Sequence, residues 1–102
     1  MTELTESLVE RLLLKTKEGE ISWRESVRPN EYTVSFPSSS VGIVDDKDGY
    51  RLRLYNDTGM LIDETPIKRV PALSQMIELW GLARRQAWRV DETLQELLKE
   101  LA

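Results

Sequence analysis

From Leu73 onward the apolar residues step by three and four in strict alternation: Leu73, Met76, Trp80, Ala83, Ala87, Val90, Leu94, Leu97 and Leu101. Residues at that spacing line one side of an α-helix and make a heptad seam. Up to Ala83 the apolar face is wide, because Ile77, Leu79 and Leu82 flank the seam. Beyond Arg84 it narrows to the seam alone. A wide stripe suits burial against a sheet, and a narrow one suits contact with a single other helix. Asp91 could cap a separate short helix, but a capping box wants Glu or Gln three residues later, and Leu94 stands there. No Gly or Pro interrupts residues 82–102. The expectation is one continuous helix over 72–101, with a helix–turn–helix as the alternative.

Length gives that expectation a consequence. Residues 72–101 in one helix would run about 45 Å. A compact chain of 102 residues has a radius of gyration near ~13 Å, and so a diameter of roughly 33 Å. The narrow end of the rod must then overhang and needs a cover, either the N-terminal helix of the same chain or a second chain. Arg84, Arg85 and Arg89 precede Val90, while Asp91, Glu92, Glu96 and Glu100 follow it, opposed only by Lys99. Antiparallel packing near Val90 would set basic against acidic, and parallel packing like against like. A two-fold homodimer follows as the expectation. Its candidate interface is Arg84, Arg85, Trp88, Arg89, Val90, Leu94, Leu97 and Leu101.

The remainder reads as a helix and a sheet. Residues 2–17 carry Leu4, Leu8, Val9, Leu12 and Leu13 on one stripe, with Glu3 and Glu6 early and Lys15 and Lys17 late, as the helix dipole favours. Thr2 or Thr5 could cap this helix. Gly19 is placed to stop it in a left-handed conformation. A period of two follows within 20–65. Ile21, Trp23 and Val27 share a face. Tyr32, Val34 and Phe36 alternate with Thr33 and Ser35, and Val41 and Ile43 come after Pro37-Ser38-Ser39-Ser40. Tyr50, Leu52 and Leu54 oppose Arg51, Arg53 and Tyr55. Arg28-Pro29-Asn30-Glu31, Asp45 to Gly49, and Asn56-Asp57-Thr58-Gly59 read as turns, and Met60 to Thr65 as the last strand. The fold class is α+β in a single domain over 1–102: N-terminal helix, five-stranded antiparallel meander with one face partly solvated, long C-terminal helix.

Several chemistries are excluded by composition. The chain has no cysteine and no histidine, which removes thiolate nucleophiles, Ser–His and Cys–His pairs and His-ligated metals. A net charge of −4 disfavours nucleic acid and anionic membranes, both of which need cationic surface. No apolar run is long enough to span a bilayer. The acidic start Thr2-Glu3-Leu4-Thr5-Glu6 is unlike a secretory signal, so the cytoplasm is the expected location. Asp45, Asp46, Asp48 and Gly49 resemble the start of a calcium loop, but the later spacing fails and a strand follows, so a solvated turn is the better reading. Glu18, Glu20 and Glu25 lack room for a deep cleft. Arg51 and Arg53, beside Tyr55, are the candidate residues for an anionic ligand. The plainer reading is a strand face paired with Glu or Asp across the sheet. Trp23 and Trp80 lie on apolar faces and are core candidates. Trp88, off the seam among arginines, suits an interface hot spot or stacking on Arg84 or Arg85.

One resemblance adds to this reading. The stretches Lys15-Thr16-Lys17-Glu18-Gly19-Glu20-Ile21-Ser22-Trp23, Tyr50 to Gly59, and Leu79-Trp80-Gly81-Leu82-Ala83-Arg84-Arg85 resemble a family of small bacterial α–β-meander–α domains of uncharacterised function. The likeness spans most of the chain. It implies a bacterial origin and the same fold, and it assigns no catalytic residue. The functional expectation is a non-enzymatic protein–protein interaction module that self-associates, its partners a second copy and an unidentified protein. The alternative is a small anionic-ligand or sensor domain. No cofactor, metal site or catalytic residue is expected.

Overall fold

Gly19 ends the first helix as its position suggests. The helix α1 covers Glu3–Lys17, and Gly19 follows at φ 75°. The Gly19 N–H donates to the Thr16 carbonyl at 3.1 Å, and the Glu20 N–H to the Lys15 carbonyl at 3.0 Å. Those two bonds are a Schellman stop, which a residue in the left-handed region permits and glycine adopts without a Cβ clash. The computed structural model describes residues 3–102, so a cap at Thr2 lies outside the described residues.

Five strands follow: β1 Arg24–Glu25, β2 Glu31–Phe36, β3 Ser39–Asp46, β4 Gly49–Tyr55 and β5 Leu61–Pro66. They form one antiparallel sheet in the order β1-β2-β3-β4-β5, each strand beside its neighbour in sequence. The fold class is thus α+β with a five-stranded meander. Two turns are tighter than expected. Glu31 is the first residue of β2, opposite Val44, and Ser39 and Ser40 already pair with Phe36 and Ser35. The strand expected around residues 21–27 is only two residues long. Trp23 is buried, but Val27 is 99% exposed; it does not share Trp23's face, because the chain has already turned toward Pro29.

The helical layer covers one face of the sheet. The helix α2 spans Ala72–Ala87. It packs along α1 and touches β1, β2 and β4. Its buried line is Ala72, Met76, Leu79 and Ala83. The seam residues Leu73, Trp80 and Ala87 flank that line, half-buried. Val9, Leu12 and Leu13 of α1 join Tyr32, Val34, Val41, Ile43 and Leu52 of the sheet in one core. Trp23 fastens the layers together. Its indole N–H donates to Thr16 Oγ1 at 2.9 Å, and its backbone N–H to Gln86 Oε1 at 2.8 Å. Lys17 and Glu78 bridge the helices at the surface, 2.7 Å apart. Among the described residues no helix is long and apolar enough to cross a membrane.

The expected single rod over 72–101 is two helices. The second, α3, spans Val90–Leu101, and Arg89 between them is left-handed at φ 54°, ψ 46°. The Trp88 and Arg89 N–H groups turn back to the carbonyls of Arg84 and Gln86. The left-handed residue swings α3 so that Arg85 pairs with Asp91, while Arg89 pairs with Glu92 three residues on. Residues six apart lie on different faces of an unbroken helix, so the Arg85–Asp91 contact exists only because of the break. Even broken, the C-terminal segment overhangs. The molecule measures 50 × 32 × 28 Å, and no residue of α3 is buried.

Candidate functional site

The face of the sheet away from the helices is occupied by its own charges. Arg51 lies 2.5 Å from Asp46 and 3.3 Å from Glu64. Arg53 lies 2.9 Å from Glu64 and 3.3 Å from Glu31. Burial works against the Arg53 cation, but hydrogen bonds to Glu64 and Glu31 more than offset it, and its pKa is raised. These cations, the sequence candidates for an anionic ligand, already have their counter-charges. That face is also less solvated than expected: Glu31, Val44 and Tyr55 on it are buried.

Glu31 is the residue the sequence did not single out. Its side chain is 0% exposed. It accepts from Ser26 Oγ at 2.5 Å and from Tyr55 Oη at 2.5 Å, and Arg28 stands 4.0 Å away. Arg28 in turn lies over the Tyr55 ring at 4.7 Å. The carboxylate therefore has partners on both oxygens, the condition a buried anion requires. Room for it comes from Gly42, where a Cβ would stand 2.3 Å from Glu31 Oε2. A glycine inside a strand marks such a close approach; that was the signal available in Val41-Gly42-Ile43.

The acidic turns have local tasks. Asp46 Oδ1 accepts the Asp48 N–H at 2.9 Å, while its other oxygen holds Arg51. Asn56 Oδ1 accepts the N–H groups of Thr58 and Met60 at 3.0 and 2.9 Å. Among the described residues no cluster of three metal-ligating side chains occurs. Glu18 and Glu20 both pair with Lys15.

Two features have no such internal partner. The first is the apolar side of α3. Leu94 and Leu97 are about half exposed, Leu98 is 69% and Leu101 82% exposed, and Val90 is half-buried. Leu98 was missed because it falls beside the seam, although it stands one turn after Leu94. The second is a cleft of about 540 Å³ between the β1–β2 hairpin and the C-terminal turns of α2. Its floor is Tyr32, with the Trp80 ring tilted against it at 4.6 Å. Arg84 caps the Trp88 ring at 4.2 Å, as stacking one turn apart allows. Burial raises the Tyr32 pKa, Arg84 lowers it and Glu25 raises it. The interface candidates thus divide. Trp88 and Arg84 belong to the cleft, Arg85 and Arg89 to the helix junction, and Val90, Leu94, Leu97 and Leu101 to the α3 stripe. No family model, curated protein or solved structure matches the chain.

Proposed function

We propose that the chain is a non-catalytic interaction module that self-associates through α3. The observation that supports this reading is a twelve-residue helix carrying Leu94, Leu97, Leu98 and Leu101 that adds no residue to the core. Isolated helices of that length are marginal in water, so α3 gains most of its stability from whatever covers its apolar side. The spacing argues for a second copy. Val90, Leu94, Leu97 and Leu101 step 4-3-4, which reads the same from either end. An antiparallel copy sets Leu94 against the second copy's Leu97 and Val90 against its Leu101, a self-complementary two-fold contact. Charge favours the same direction. Antiparallel alignment brings Arg89 to the C-terminal end of the other α3, near Glu100, where the helix dipole attracts a cation. Parallel alignment would place Arg89 beside Arg89. Sedimentation velocity tests the proposal. The expected species is a dimer, twice the 11.8 kDa of one chain. Leu94→Asp with Leu97→Asp should give a folded monomer. A wild-type chain that stays monomeric to about 100 μM, where even a Kd near the micromolar range would be saturated, refutes it.

A further inference from the structure

The cleft holds charges of both signs that form no ion pair among the described residues, although the Arg84 guanidinium is stacked on Trp88. Glu25 is the ladder partner of Tyr32, so its side chain leaves the sheet on the same side as the Tyr32 ring. Arg84 approaches from α2. Among the described residues neither Glu25 nor Arg84 has an ion-pair partner, and so they do not reach one another. Both line the cleft. Glu31 lines it too, but its oxygens are engaged by Tyr55, Ser26 and Arg53. Three aromatic rings, Tyr32, Trp80 and Trp88, line it as well. The cavity volume falls in the usual range for small-ligand sites, about 300–1,000 Å³.

We propose that this cleft binds a small amphipathic zwitterion, an amino acid with an apolar side chain. Its carboxylate meets Arg84. Its ammonium meets Glu25. Its side chain lies against the faces of Trp80 and Trp88, where flat or branched apolar groups bury well. A simple anion would meet Arg84 but also be repelled by Glu25. A simple amine would suffer the reverse. Only a ligand with both charges satisfies both walls, and an unpaired charge on either side costs affinity.

Titration of the full chain with L-phenylalanine, followed by the indole N–H resonances of Trp80 and Trp88, tests this. Two analogues separate the charges: 3-phenylpropionate lacks the ammonium, and phenethylamine lacks the carboxylate. The expected result is a saturable shift with L-phenylalanine, and binding at least about 10-fold weaker for each analogue, which loses one charge-assisted hydrogen bond. Arg84→Gln and Glu25→Gln, both at exposed positions, should each weaken L-phenylalanine by a similar factor with an unchanged circular-dichroism spectrum. Absence of saturation, analogues that bind as well as the amino acid, or variants that bind as the wild type does would each overturn the proposal.

Discussion

At position 42 a hydrogen in place of a methyl group decides whether the sheet can hold a buried carboxylate. Alanine for glycine within a strand is ordinarily favourable by roughly 0.5–1 kcal/mol, because glycine loses more freedom on folding. Here the added Cβ would meet Glu31 Oε2 at 2.3 Å, with backbone on one side and Tyr55 and Arg53 on the other. The strand must bend or the carboxylate must leave its partners, and overpacking of that kind costs about 1–3 kcal/mol. Gly42→Ala should therefore lower stability by about 2 kcal/mol in urea denaturation. In a Glu31→Ala background the same change should cost much less, a coupling typical of residues in contact. Strictly additive losses would show that the two sites do not meet. Trp88 illustrates the opposite case, a large side chain half-exposed with its ring capped by Arg84. It adds aromatic surface to the cleft without adding to the core.

The elements differ in how much of them is legible in local sequence. Helix α1 and its stop rest on periodicity and one glycine, both local. The alternation of β4 is local as well: Leu52 enters the core, while Arg51, Arg53 and Tyr55 take the other face. In the sequence Glu31 reads as part of a turn, because its neighbours Pro29 and Asn30 turn. Its burial depends on Tyr55, 24 residues away, and no nearest-neighbour pattern carries that. The cleft joins residues 25–32 to residues 80–88 and is invisible for the same reason. The break before α3 is local, yet no glycine or proline announces it. Arg89 takes a left-handed conformation that glycine or asparagine would adopt more readily. Apart from Leu98, the exposed Leu stripe was legible whether or not the helix was continuous. Since α3 contributes nothing to the core, a chain ending after Trp88 should keep the sheet, α1 and α2. Its near-ultraviolet spectrum, dominated by buried Trp23 and half-buried Trp80, should match that of the full chain. The Tm of the full chain should rise with protein concentration, as linkage to association requires, and that of the shortened chain should not. Loss of the near-ultraviolet signal on truncation would place α3 in the body after all.

For the whole molecule, the pH profile of stability follows from which groups the fold buries. No histidine exists to titrate through neutrality. Tyr32, Tyr50 and Tyr55 all have raised pKa values, and in each case burial is the largest cause; the hydrogen bond to Glu31 adds to it at Tyr55. A phenol raised above its ordinary value of 10.0 keeps its proton in the folded chain after the unfolded chain has lost it. Stability then falls with pH over that interval, because the native state binds more protons. Each tyrosine thus contributes in full below pH 10.0 and progressively less above it. Lys15, raised chiefly by its hydrogen bond to Glu20, and Arg53 act in the same sense: their stabilising charge is kept at neutral pH and lost only on the alkaline side. All five groups therefore push one way. The urea midpoint should stay level from about pH 7 to about pH 9 and drop steeply above roughly pH 10, the ordinary range of tyrosine. Tyr55→Phe separates two contributions. It removes the bond to Glu31 and should lower stability at neutral pH by about 1–2 kcal/mol, the cost of a buried acceptor losing a partner. It should also flatten the alkaline slope, because one of the three shifted phenols is gone. Denaturation of both proteins at neutral and alkaline pH, with tyrosinate absorbance recorded alongside, checks both effects. Parallel slopes in the two proteins would mean that Tyr55 ionises in the folded chain as it does in the unfolded one, and that burial beside Glu31 does not hold its proton.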